Sequence, residues 1–146
     1  MSIHRYEKDF YAWSQEQAAL LRAGRWSELH IEPLSEEIED LGKRERRALE
    51  SRLAVLIGHL LKWHYQPEYA DRKSWRATIN EQRRRIVRLL AENPSLQPLL
   101  PDLVSDAYAD SCDLVVRETP LDYDALPSAC PYTVTQILDN EFWPEP

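Results

Sequence analysis

Two histidines lie in the most apolar stretch of the chain, where a helical bundle could hold a metal ion between facing helices. His59 and His64 are separated by five positions, so on a helix they point roughly 140° away from each other. Three positions before them stand Leu56 and Leu61 rather than the glutamates of a Glu-x-x-His ligand pair. The spacing favours structural roles and predicts no metal site. A metal-dependent hydrolase with its site in the bundle core remains as one alternative.

Arginines are concentrated in one predicted helix, over residues 74–92. Trp75 and Ile79 belong to its apolar stripe, and the arginines spread over the opposite ~200° of the helix. They are Arg76, Arg83, Arg84, Arg85 and Arg88. This spread is typical of a solvated face, so we expect all five side chains in water. As an alternative, Arg84 and Arg88 could bind phosphate in a nucleic-acid-associated or toxin-neutralising partner protein.

An aromatic and basic cluster is predicted where one helix ends and the next begins. Lys62, Trp63 and His64 close the first of these helices, and Trp75 with Arg76 opens the second. Tryptophan rings with polar tips are common where a core meets water, so hinge packing accounts for the cluster without any ligand. A ligand-binding pocket at this junction is the functional alternative.

The cysteines and carboxylates offer little for catalysis. Cys130 lies in a Ser-Ala-Cys-Pro segment with no histidine close in sequence that could activate it. Cys112 and Cys130 lack CxxC spacing, so we expect free thiols rather than a bridge. No motif places two carboxylates together for acid and base roles. The sequence therefore predicts no catalytic residue and no cofactor, and it favours a protein that is not an enzyme.

The element that must position most of these residues is a long helix, predicted from residue 31 to residue 65. Its apolar residues recur every three or four positions. They are Ile31, Leu34, Ile38, Leu41, Ala48, Leu49, Leu53, Leu56, Leu60 and Trp63. From Leu53 to Leu61 no side is charged, so other helices should surround this part. A straight helix of this length measures about 50 Å, whereas a compact chain of this size is about 38 Å across. Either the helix bends at Gly42 or its charged first half projects.

Three other main helices and one short helix follow from periodicity and end signals. They are predicted at 9–23, 74–92, about 98–118 and about 134–140. Gly24 ends the first, Ser74 caps the second and a capping box at Thr133 opens the last. The predicted fold class is thus an all-α, single-domain bundle of four main helices plus a short C-terminal helix, covering residues 1–146.

Composition and charge narrow the class further. The chain has 146 residues, 43% hydrophobic and 29% charged, with a formal net charge of −7, which is typical of a folded domain. This charge disfavours a nucleic-acid binder that relies on overall positive charge. The N-terminal residues lack the apolar core of a signal peptide, and no stretch reaches the roughly 18 apolar residues of a membrane span. We expect a cytoplasmic protein without membrane contact.

Several segments together resemble a known family. They are Tyr6-Glu-Lys-Asp9 with Trp13, Leu34-Ser-Glu-Glu-Ile-Glu-Asp-Leu-Gly42, His59-Leu-Leu-Lys-Trp63 with Gln66-Pro67, Ser74-Trp75 with Ile79, Asn93-Pro94-Ser95-Leu96 and Cys130-Pro131-Tyr132-Thr133. In this order they resemble the bacterial domain-of-unknown-function family 29 over nearly the whole chain. The resemblance implies an all-helical single domain, and it implies no activity, substrate or cofactor.

The long helix motivates the functional expectation. If its charged half stays straight, the apolar stripe from Ile31 to Leu41 lies partly uncovered in a monomer, and a symmetric dimer would bury it. We therefore expect a non-catalytic protein that contacts another protein or a second copy of itself.

Overall fold

The fold is entirely helical where it is described. A computed structural model describes residues 3–69 and 71–146, with side chains from residue 6 onward. These residues form six α-helices and three short 3₁₀ turns, and no strand occurs among them. The helices are α1 (Ile3–Lys8), α2 (Phe10–Arg22), α3 (Ile31–Tyr65), α4 (Arg72–Glu92), α5 (Leu100–Glu118) and α6 (Val134–Leu138). The predicted all-α class with four long helices, α2 to α5, is confirmed.

The chain divides into two compact units. Unit 1 is Met1–Arg44 and unit 2 is Glu45–Pro146. Helix α3 contributes residues to both units, because it is one α-helix from Ile31 to Tyr65. The predicted bounds of the long helix are therefore confirmed, and no break occurs at Gly42. That residues 1–146 form one domain stays a prediction.

Unit 1 is organised around a buried tryptophan. Trp13 is 1% exposed, and its indole Nε1 donates a hydrogen bond of 2.8 Å to Nδ1 of His30. The backbone N–H of His30 in turn donates to Oε1 of Gln17 at 3.0 Å, and Gln17 is also buried. Tyr6 packs its ring against Trp13 with the centroids 4.5 Å apart. A polar network thus fixes the residue that precedes α3 against α2.

Unit 2 is built around the second half of α3. This half has no charged residue from Leu53 to Leu61, and most of its side chains are inaccessible to solvent. The fully buried ones are Leu49, Leu53, Leu56, Ile57, Leu60 and Leu61. They belong to one apolar cluster with residues of α4, α5 and α6, including Ile79, Leu103 and Ile137. The expectation that other helices surround this stretch is confirmed.

Helix ends differ from the sequence predictions in places where a cap was misread. Asp9 is the N-cap of α2 rather than its first residue, since its carboxylate accepts from the N–H of Ala12 at 3.1 Å. Helix α4 begins at Arg72 after Asp71, so the prediction of Ser74 as its cap was wrong. Gly24 follows α2 with a φ of 70°, a conformation that glycine adopts without strain.

The ends of the last two helices also differ in part from the predictions. Residues Pro94–Leu99 form a 3₁₀ turn before α5 begins at Leu100. Helix α6 ends at Leu138, two residues earlier than predicted. The capping box at Thr133 is confirmed, because Thr133 and Gln136 each accept from the other's backbone N–H.

Arg83 is buried, so the prediction that it lies in water was wrong. Its side chain is 0% exposed. Nε donates to the carbonyl of Ile137 at 2.8 Å, and Nη2 donates to the carbonyls of Phe142 at 2.8 Å and Gln136 at 3.3 Å. The guanidinium therefore ties α4 to the chain that ends α6, and burial lowers its pKa from the ordinary value. Simple helical projection missed this because residues 136–142 cover that side of α4.

The two glycines inside α3 yield a matched prediction. A Cβ at Gly58 would lie 3.0 Å from Cδ2 of Leu114 and 3.3 Å from the carbonyl oxygen of Ser111, whereas a Cβ at Gly42 would meet nothing within 4 Å. Alanine favours a helix over glycine by about 1 kcal/mol, and overpacking costs about 1–3 kcal/mol. In urea unfolding, Gly42→Ala should raise the free energy of unfolding and Gly58→Ala should lower it by about 1 kcal/mol. Equal stabilisation by both would contradict the close packing at Gly58.

Arg83 yields a second prediction. Arg83→Met keeps an unbranched apolar stem but removes the donor to the carbonyls of Gln136, Ile137 and Phe142, so we expect a loss of about 3 kcal/mol or more in the free energy of unfolding. Arg84→Met, at the exposed neighbouring position, serves as the control and should change stability by no more than about 0.5 kcal/mol. Urea denaturation of the two variants tests this, and a loss at Arg83 no larger than at Arg84 would refute it.

Candidate functional site

The predicted junction between α3 and α4 is occupied by internal contacts. Lys62 is 2% exposed, and its Nζ lies 3.4 Å from a carboxylate oxygen of Glu118 and 5.4 Å from the centroid of the Trp75 ring. Trp75 is itself buried and stacks on Tyr69 with the centroids 5.0 Å apart. The structure thus brings Lys62 and Trp75 together, but it directs both into the packing of unit 2.

Trp63 is half-buried by contacts with its own chain. The guanidinium of Arg72 lies 3.7 Å from the centroid of its ring, and Nη1 of Arg72 donates to the Trp63 carbonyl at 2.9 Å. The ring of Trp143 packs on Trp63 with a centroid distance of 4.8 Å. Arg72 and Trp143 were not among the predicted site residues, and each occupies part of the surface of the Trp63 ring.

His64 also has a partner within unit 2. Its Nδ1 lies 3.0 Å from the hydroxyl of Tyr132, and its ring stacks on Tyr65 with a centroid distance of 4.4 Å. A depression of about 310 Å³ nearby is lined by residues 65–69 and includes none of the predicted candidates. Ligand binding by His64 stays a prediction.

The predicted arginine face is smaller and more mixed than expected. Arg76, Arg84 and Arg88 are exposed, whereas Arg83 is buried. Arg88 lines a depression of about 140 Å³ together with Glu45 and Glu92. Acidic side chains therefore stand among the basic ones, which weakens the field that would attract phosphate.

The histidines and cysteines whose side chains the structure describes do not assemble a metal site. Among the residues that the structure describes, no group of three or more His, Cys, Asp or Glu side chains is placed to hold a metal ion. His59 uses Nδ1 to contact the carbonyl of Val55 at 2.8 Å. Cys112 and Cys130 are free, and burial raises the pKa of both thiols. A raised pKa lowers the fraction of thiolate, which is the nucleophilic form.

An apolar groove lies in unit 1, between α2 and the first half of α3. The groove has a volume of about 290 Å³. Its lining residues are Phe10, Trp13, Ser14, Gln17, Ala18, Leu21, Leu34, Glu37, Ile38, Leu41 and Arg44. Glu37 and Arg44 are the two charged members of this lining. A mostly apolar groove with a few polar groups is the form that receives apolar side chains.

Several residues that line this groove are exposed although they are large and apolar. Ile38 is 66% exposed, Leu41 is 56% exposed and Phe10 is 49% exposed. Leu21 and the neighbouring Ile31 are exposed as well. Surface patches of this kind mark contact sites more often than scattered single residues do.

The exposed apolar residues of the described chain are unevenly distributed. Seven of the nine large ones belong to unit 1, and only two belong to the longer unit 2. Those of unit 1 are Phe10, Tyr11, Leu21, Trp26, Ile31, Ile38 and Leu41, and those of unit 2 are Val87 and Tyr123. Unit 2 has buried most of its large apolar residues, whereas unit 1 has left a set of them in water.

The rim of the groove is fixed by a hydrogen bond. The hydroxyl of Tyr6 donates to Oε1 of Glu37 at 2.6 Å. This contact with the carboxylate raises the pKa of Tyr6 to about 12, so the phenol stays protonated as a donor at neutral pH. The carboxylate of Glu37 is thereby oriented at one end of the groove, and Arg44 lies one heptad further along α3.

These features define the class of protein: an all-α chain with four long helices and an open apolar groove. The sequence profile of the family described as "Domain of unknown function DUF29" matches residues 5–143. The chain belongs to this family, which confirms the resemblance seen in its sequence. No curated protein and no solved structure gives a significant match to the chain. Within the described part of the chain, no helix is both long enough and apolar enough to cross a membrane.

Sequence reasoning found one wall of the groove and missed the other. The stripe from Ile31 to Leu41 was expected to be partly uncovered if the charged half of the helix stays straight, and Ile31, Ile38 and Leu41 are exposed. Phe10 and Leu21 belong to the other wall, and their helical spacing on α2 does not distinguish an open face from a buried one. The roles of Glu37 and Arg44 were missed because their charges resemble those of any solvated helix face.

His59 gives a pH prediction. Burial lowers the pKa of His59 from its ordinary value of 6.5, and the positive charge of Lys62 lowers it further, against smaller opposing effects of the Val55 carbonyl and Glu118. The folded protein therefore binds this proton less readily than the unfolded chain does. The stabilising contribution is complete above pH 6.5 and is lost as the pH falls from there towards the folded pKa.

The measurement compares wild type with His59→Gln, which does not titrate. Between about pH 7.5 and about pH 5.5, the free energy of unfolding should fall more in the wild type than in the variant. Parallel pH profiles would show that His59 remains as accessible to protons as in the unfolded chain.

Proposed function

We propose that this protein is a non-catalytic interaction protein whose groove in unit 1 binds the apolar face of a helix. That helix belongs to another protein or to a second copy of this chain. The observation that carries the proposal is the concentration of exposed apolar residues in unit 1, where Ile38 and Leu41 are each more than half exposed. Fully burying one such side chain contributes about 1.5–3 kcal/mol, so a partner that covers several of them gains substantially.

The composition of the groove fits a helix better than a small polar ligand. Its lining is mostly apolar, and its charged side chains are Glu37 and Arg44. An amphipathic helix that docks in a groove places apolar residues every three or four positions into the floor and leaves its charges at the rim. The arrangement of apolar floor and polar rim is also that of protein interfaces in general.

The junction between α3 and α4 gives less support to a binding role. Lys62 and Trp75 are buried, and Trp63 contacts both Arg72 and Trp143. A ligand would first have to displace these internal contacts. The groove in unit 1 requires no such displacement, which favours it as the functional surface.

Photo-crosslinking in the native cell tests the proposal. A benzophenone amino acid at position 38 should form covalent protein adducts on irradiation, because this position lies in the groove. The control carries the same group at position 87, where the natural valine is 55% exposed on α4 and lies outside the groove lining. The adducts are detected on denaturing gels and identified by mass spectrometry.

A second variant shows whether the captured protein sits in the groove. With the benzophenone at position 41, adding Ile38→Asp should reduce the adduct yield several-fold, because a carboxylate would have to be desolvated against the partner. Equal adduct yields at positions 38 and 87, or none at position 38, would rule out the proposed interaction.

A further inference from the structure

The first part of α3 has the sequence pattern of a short coiled-coil seam. Over residues 31–44, Ile31 and Ile38 occupy one heptad position, and Leu34 and Leu41 occupy the position three residues later. Isoleucine and leucine at these two positions are what a coiled coil packs into the corresponding positions of a second helix. Three of the four side chains are exposed and Leu34 is half-buried, so the seam still accepts a partner helix.

The charges of this segment change sign along its length. Acidic residues occupy its first two thirds, and basic residues end it. The acidic ones are Glu32, Glu36, Glu37, Glu39 and Asp40, and the basic ones are Lys43 and Arg44. A parallel pair of such segments would align acid with acid. An antiparallel pair places the acidic part of each copy beside the basic end of the other, so the charge pattern complements itself when the copy is reversed.

Two residues at the groove define the register of this pairing. Glu37 and Arg44 both line the groove, and they are seven residues apart, so they lie on the same side of the seam. Each occupies the heptad position just before the one that holds Ile31 and Ile38. In an antiparallel coiled coil, residues at this flanking position face residues at the same position of the other helix. Glu37 of one copy then faces Arg44 of the other, and the two-fold symmetry repeats the pair.

We propose that the occupant of the groove is a second copy of this chain, packed antiparallel along the first half of α3 about a two-fold axis close to Ile38 and Leu41, with Glu37 of each copy paired to Arg44 of the other. The inference rests on the function proposed above and names its partner. The hydrogen bond from Tyr6 to Oε1 of Glu37 is compatible with it, because a carboxylate accepts several hydrogen bonds. It also orients the carboxylate for the second copy.

Charge reversal tests the register. By analytical ultracentrifugation, the wild type should associate reversibly to twice its chain mass of 17.2 kDa. Glu37→Arg places a second arginine against Arg44 of the other copy, and Arg44→Glu places a second glutamate against Glu37. Each like-charge contact occurs twice per dimer because of the two-fold symmetry. Either single variant should therefore associate about tenfold more weakly.

Mixing the two single variants tests directly whether positions 37 and 44 face each other in the dimer. In the mixed dimer the two arginines of the Glu37→Arg copy face the two glutamates of the Arg44→Glu copy. An equimolar mixture should therefore associate better than either variant alone. The double variant restores an acid–base pair at both contacts and should recover association to within about twofold of the wild type.

The matched control is Glu36→Arg with Lys43→Glu. These exposed residues are also seven apart but lie on the far side of the seam, and reversing either should leave association within about twofold of wild type. Tyr6→Phe reports the effect of losing the Tyr6 hydrogen bond alone.

Two results would overturn the inference. One is a strictly monomeric wild type at millimolar concentration, and the other is a double variant, Glu37→Arg with Arg44→Glu, that associates no better than either single variant. Crosslinking at position 38 separates the two proposals. Adducts with a different protein and none with a second copy would remove this inference while supporting the interaction itself, and the absence of any adduct would remove both.

Discussion

Unit 2 depends on one constraint, which is that the stretch of α3 from Leu53 to Leu61 has no charged side to present to water. Leu53, Ile57 and Leu60 are inaccessible, and the residues between them are almost all apolar. A helix of this kind is stable only when others enclose it. Small residues let α5 approach closely, since Gly58 has no side chain and the hydroxyl of Ser111 donates to the Ala54 carbonyl at 2.9 Å. The positions of α4, α5 and α6 follow from this requirement.

Two buried cations show how the edges of that core are completed. Burying a charge is costly unless hydrogen bonds or counter-charges replace the lost water. Arg83 replaces it with three backbone carbonyls, and although its Nη1 has no hydrogen-bond partner among the described residues, the ring of Trp143 lies 5.4 Å from the guanidinium carbon. Lys62 uses the carboxylate of Glu118 and the face of Trp75. Each cation joins chain segments that are more than 50 residues apart in sequence.

The sequence predicted the features that depend on local periodicity and failed where distant segments decide. The bounds of α3, the enclosed stretch after Leu53 and the capping box at Thr133 all follow from neighbouring residues. The burial of Arg83 does not, because it requires knowing that the carbonyls of residues 136–142 come to rest above α4. The cap of α4 was misplaced for a related reason. Asp71 and Ser74 are similar capping residues by type, but the helix begins directly after Asp71, and the guanidinium of Arg72 packs on Trp63.

For the groove, the sequence indicated an uncovered stripe on α3. The significance of this stripe follows from comparing the packing of the two halves of α3. The same helix carries two apolar segments of similar spacing, and only the second is enclosed within its unit. If the first segment served the stability of the monomer alone, exposed positions such as Ile31, Ile38 and Leu41 could be polar at almost no cost, since surface substitutions change stability by about 0.5 kcal/mol or less. Their apolar character needs another cause. The proposed contact with a second helix is such a cause. The charges that flank the seam favour the solubility of the chain while the seam is uncovered.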